Sequence, residues 1–120
     1  MRFGPMMDYL GAVRASTDHL RSSELSGWSR VRDFLIERGI RPEEAALAVI
    51  YPDDVTVLTA VVVADAQRMF EIDLEYPAGV DKAMAMSESR IASWRDDAAR
   101  IALENRDFVQ AALDVLSRGG

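Results

Sequence analysis

Three carboxylates, Glu71, Asp73 and Glu75, fall on alternate residues of the stretch M-F-E-I-D-L-E-Y. Alternate side chains of a strand share a face. These acids therefore stand at steps of about 6.8 Å, two strand rises of about 3.4 Å each. Two neighbours at that separation have the reach to hold one hard cation or to work as an acid–base pair. Nothing beside them supplies the oxygen-ligand spacing of a calcium loop, so no metal, cofactor or catalytic role is expected. The row is read instead as a solvated edge face or as a docking face for a basic protein partner, the second being the role that the expected binding function gives it. As an edge face it would also discourage strand-to-strand aggregation.

The other reactive side chains offer less. His19 is the only histidine. It follows Asp18 directly, and neighbours at i,i+1 on a helix point apart, so no acid orients it as a base. There is no cysteine for a thiol nucleophile, a thiolate metal site or a disulfide. No G-x-S-x-G is present, and glycines occur singly until Gly119-Gly120, so no phosphate loop forms. That terminal pair, in Ser117-Arg118-Gly119-Gly120, resembles the tail of ubiquitin-like proteins. Those proteins carry it after a strand, whereas here a helix precedes it, and a plain helix stop accounts for it.

The elements that position these residues are legible from periodicity. Val55 to Ala64 is a β-branched apolar run and Asp65-Ala66-Gln67-Arg68 a polar break. Phe70, Ile72, Leu74 and Tyr76 then alternate with the three acids. This reads as a β-hairpin. Its first strand is apolar on both faces, as a covered central strand should be. The third strand, with its acidic face, is either an edge or overhangs the covered region. Before the hairpin, a helical turn near Pro42 is followed by a strand from about Leu47, and Pro52-Asp53-Asp54 reads as a turn. The sum is a three-stranded antiparallel meander.

Upstream, Gly4-Pro5 opens a first helix whose stripe is Met6, Leu10, Val13, Thr17 and Leu20. Trp28, Val31, Phe34 and Leu35 mark a second helix, stopped by Gly39. Downstream, residues 80 to 87 read as a connector with Met84 and Met86 tucked beneath it. Ile91, Trp94, Ala98, Ile101, Asn105, Phe108, Ala112 and Val115 then recur at helical spacing from Ser87 to Ser117, with Asp96–Arg100 and Asp114–Arg118 as i,i+4 ion pairs. An unbroken helix of that length would measure about 45 Å, against a diameter of roughly 35 Å for a compact domain of this size. It must bend near Asn105-Arg106-Asp107, or project and meet a second chain. A homodimer seam of Trp94, Ile101, Phe108, Ala112 and Val115 follows from the second case. The whole is one α+β domain spanning residues 1–120.

The balance of 49% hydrophobic and 28% charged residues is that of a globular protein. A net charge of −6 argues against nucleic acid and anionic membrane surfaces, which need a positive footprint, and leaves basic proteins open. A winged-helix reading fails for the same reason: the segment that would read bases carries Glu43 and Glu44 and no cation. The start of the chain has no signal-peptide run, and the most apolar window is half a membrane span, so a cytoplasmic location is expected. In size, charge and α+β order the chain resembles small acidic bacterial proteins that act by binding, such as toxin-neutralising immunity proteins and secretion chaperones. That resemblance implies a non-enzymatic binding role. The rival expectation is a small-molecule or enzymatic pocket between sheet and helices, using Tyr51, Tyr76, Arg68 or the carboxylates.

Overall fold

The structure, a computed structural model, describes residues 8–50 and 56–118, without the side chains of Lys82, Ala83 and Met86. The expected helix opening at Gly4-Pro5, Met6, Tyr51, the Pro52-Asp53-Asp54 turn and Gly119-Gly120 lie outside the described residues. The fold is α+β, with five α-helices and a four-stranded antiparallel sheet among the described residues. Helix α1 (Tyr9–Ser22) starts at Asp8, whose carboxylate accepts from the Gly11 N–H at 2.9 Å. Val13, Thr17 and Leu20 on its stripe are buried.

Helix α2 (Ser26–Glu37) buries Trp28, Val31, Phe34 and Leu35. It ends in a Schellman motif: Gly39 N–H donates to Ile36 O and Ile40 N–H to Leu35 O, each at 3.0 Å. Gly39 carries the positive φ of 76° that this turn requires. A 3₁₀ turn (Pro42–Glu44) follows, then β1 (Ala46–Ile50), β2 (Val57–Val63) and β3 (Met69–Glu75).

The C-terminal third corrects the sequence reading. Ser87–Ser117 is not one helix. Helix α3 (Lys82–Glu88) occupies most of the expected connector, and Met84 on it is exposed rather than tucked under. A fourth strand, β4 (Arg90–Arg95), follows, then α4 (Ala98–Glu104) and α5 (Arg106–Ser117), which meet at Asn105. The sheet order is β1-β2-β3-β4, so β3 is an interior strand and the edges are β1 and β4. The expected ion pairs are also replaced: Arg100 faces Asp97 at 4.0 Å, and the Asp114 carboxylate accepts from Gln110.

The sheet divides two cores. Leu47, Leu58, Ala60, Val62, Phe70, Ile72 and Leu74 pack on one face with α2 and Ala85 of α3. Ala46, Ala48, Val61, Val63 and Met69 pack on the other with Ile101 of α4 and Val109, Ala112 and Val115 of α5. Both faces of β2 are thus covered, which is why its sequence is apolar throughout. Helix α1 joins the two cores, sending Leu20 into the first and Val13 into the second.

Candidate functional site at the open sheet edge

The two edges of the sheet are treated differently. At β1, Thr17 of α1 places Oγ1 where it accepts the outward Leu47 N–H at 3.0 Å, and Arg21 donates through Nη2 to Ala45 O at 3.2 Å. Both arise from one helical stripe, since residues four apart share a face. The helix therefore satisfies backbone groups that a bare edge would present.

Along β4 itself no described strand pairs with the outer edge, and α2 reaches only the carbonyl just before it, through Arg30 to Ser89 O. The strand is largely exposed, and Trp94 keeps 45% of its surface open. A β-bulge shapes it. Leu74 pairs with Ile91 and Asp73 with Ser93, leaving Ala92 as the extra residue. Ile91 and Trp94 therefore share a face despite a spacing of three. Trp94 stands edge-on to Phe34 of α2 and near Phe70 of β3, with centroids 5.3 and 6.2 Å away. The Arg38 guanidinium lies over both rings, 3.6 Å from the centre of Phe34 and 4.4 Å from that of Trp94. Between α2 and β4 runs an open hollow of about 310 Å³, lined by Arg30, Asp33, Phe34, Glu37, Ile91 and Trp94, with Arg38 at one end. Arg30 donates to the carbonyl of Ser89, at the start of β4.

The acidic row is present on one face of β3, as its alternation requires, but each member is held within the chain. Glu71 accepts from Arg95 Nε at 2.7 Å and from Asn105 Nδ2 at 3.2 Å, and its side chain is only 15% exposed. Asp73 accepts the hydroxyls of Thr59 at 3.1 Å and Ser93 at 3.0 Å. Glu75 pairs with Arg90. Arg95 also reaches Glu104 at 2.5 Å. That bond, aided by Glu71 against the cost of desolvation, holds the guanidinium above its ordinary range. The row serves to fasten β4 and α4 to the sheet.

The proposed dimer residues do not share a stripe. Ile101, Ala112 and Val115 are buried in the chain's own core, and Phe108 packs edge-to-face on Tyr9 at 4.9 Å. Trp94 lies across the sheet from them. His19 is exposed and stacks parallel to Trp28 at 6.1 Å. Arg68 is bound to Asp65 in the β2–β3 turn, while Tyr76 follows the opposite end of β3, so these candidates do not converge. Two further hollows, of about 390 and 370 Å³, lie beside Glu75, Tyr76 and Arg90 and at the α4–α5 junction; both are open to solvent. Among the described residues no group of three or more acidic or histidine side chains could hold a metal, and no helix is long and apolar enough to cross a membrane.

Sequence reasoning missed Phe34, Arg38, Asp33 and Glu37 as neighbours of Trp94, because it put Trp94 on a helix.

No protein-family model, curated protein or solved structure matches this chain, so the functional reading rests on its geometry.

Proposed function

We propose that the chain is a non-enzymatic interaction protein that docks a protein partner on the α2–β4 side. One observation carries this reading: an exposed tryptophan, backed by an aromatic cluster, stands beside a sheet edge with which no strand among the described residues pairs. Tryptophan is among the residues most enriched at the hot spots of protein interfaces. The net charge of −6 favours a basic partner, and the lack of cysteine suits a reducing, cytoplasmic setting. The row Glu71, Asp73, Glu75 now takes a supporting part, because its carboxylates already have donors.

The test is affinity capture from cells with the tagged full chain as wild type, Trp94→Glu and Leu103→Glu. Leu103 is 77% exposed on α4 and serves as the control apolar site. An identified partner should be lost with Trp94→Glu and kept with Leu103→Glu, both variants retaining the wild-type circular dichroism. The opposite pattern would place docking on the helical side and reject this one.

A further inference from the structure

We infer that the partner of the α2–β4 face is an extended, basic segment of another protein, which adds to β4 as a fifth strand. This rests on the docking reading above and names the chemistry of its occupant. The backbone supports strand addition. An unpaired edge offers a row of N–H and C=O groups that an extended chain satisfies and a helix does not. Alternate side chains of the added strand would fall over the hollow, against Ile91 and Trp94. The others would fall beside Arg90 and Arg95, which are already neutralised by Glu75, Glu71 and Glu104.

Charge decides what those side chains are. The two cations of the hollow are committed: Arg30 to the Ser89 carbonyl, Arg38 to the aromatic rings and the Phe34 carbonyl. Its two anions, Asp33 and Glu37, are exposed and have no ion-pair or hydrogen-bond partner among the described residues. They lie one helical turn apart on α2, facing the open edge. A strand carrying lysine or arginine on the hollow side, next to an apolar residue over Trp94, would satisfy them. A second copy of this chain fits worse. Antiparallel pairing of β4 with itself, Ile91 opposite Trp94, brings only Arg90 and Arg95 across, and these are already paired with Glu75, Glu71 and Glu104, so Asp33 and Glu37 would gain no cation. The bulge and the terminal arginines further limit which strands can add.

The experiment is selection of random peptides of about twelve residues on the intact chain, followed by backbone N-methylation along the best binder. Selected sequences should alternate basic or apolar residues with polar ones. N-methyl groups on every second nitrogen should weaken binding about tenfold each, and those between should change it by about twofold or less, because only one alternation faces the edge. The double variant Asp33→Lys, Glu37→Lys should lose about tenfold or more. Acidic or uncharged binders, uniform N-methyl sensitivity, or no enriched peptide would each overturn the proposal. Binding that needs Trp94 but ignores the methyl alternation would reject strand addition and keep the docking face. Binding indifferent to Trp94→Glu would reject both. Sedimentation showing a dimer that Trp94→Lys dissociates would assign the edge to a second copy and also overturn it.

Discussion

The two edges of one sheet pose the same problem and receive opposite treatments. At β1 the neighbouring helix supplies a buried hydroxyl to one backbone N–H and a guanidinium to one carbonyl. At β4 the neighbouring helix, α2, supplies a guanidinium to the carbonyl just before the strand but nothing to the strand itself, and the space between them is lined with rings and with carboxylates unpaired among the described residues. A chain that merely needed to avoid aggregation could have closed both edges alike. Charged ends and a bulge make β4 selective but do not close it. On the docking reading proposed above, the closed edge serves stability and the open edge serves recognition.

The largest expected effect tests the closed side. Leu20 is fully buried where α1 enters the first core, so Leu20→Ala should cost about 2–5 kcal/mol. Trp94→Ala, at the open edge, removes two edge-on ring contacts and should cost only about 1–2 kcal/mol. Urea unfolding of both variants checks the order. A larger loss at Trp94 would mean that the open edge is a structural support.

Thr17→Val isolates the seal itself. The isosteric change keeps the volume and removes the acceptor, leaving the buried Leu47 N–H unpaired at a cost of about 1–3 kcal/mol. Hydrogen exchange at Leu47 should accelerate while exchange at the β2–β3 bonds follows only the global loss. Unchanged protection at Leu47 would show that the side chain does not seal the edge.

The contrast between edges also explains what could be read from the residues alone. The stripe Val13, Thr17, Leu20 and the face Trp28, Val31, Phe34, Leu35 repeat at true helical spacing, and both helices formed there. The β2–β3 hairpin is marked by an apolar run, a polar break and the strict alternation of β3, and the strand from about Leu47 is β1. β4 was illegible for a specific reason. The bulge at Ala92 puts Ile91 and Trp94 on one face three residues apart. That is the signature of a helix turn, and Ala98 and Ile101 of the real helix α4 continue the same count. The acidic row was correctly placed on one face. Its partners Arg90, Arg95 and Asn105 were hidden, because they come from the segment mistaken for helix.

Where β4 begins, a smaller effect sharpens the comparison. Ser89 is fully buried, and its hydroxyl has no hydrogen-bond partner among the described residues, although its carbonyl takes Arg30. Replacing an unsatisfied hydroxyl with a methyl is neutral to favourable, so Ser89→Ala should raise stability by up to about 1 kcal/mol. It should also leave peptide binding at β4 unchanged. A destabilised variant would reveal a partner for that hydroxyl and a better-finished open edge than its hydrogen bonds indicate.

The smallest effect belongs to neither edge and serves as their control. Asp65 closes the β2–β3 turn, accepting Arg68 Nε at 2.8 Å and the backbone N–H groups of Gln67 and Arg68 at 2.9 and 2.7 Å. The Arg68 side chain first, then these N–H groups, hold its carboxyl below the usual carboxylate range. A lowered folded-state pKa means that the turn stabilises fully at pH values above the range in which the unfolded chain's aspartate titrates. The contribution fades as acid takes the pH down through the folded-state value. Asp65→Asn should therefore lower the urea midpoint slightly at neutral pH, and the gap to wild type should close in acid, with Thr17→Val showing no such closure. Because Thr17 does not titrate, a pH-dependent gap there would tie the β1 seal to a titrating carboxylate and undo its separation from the β2–β3 turn.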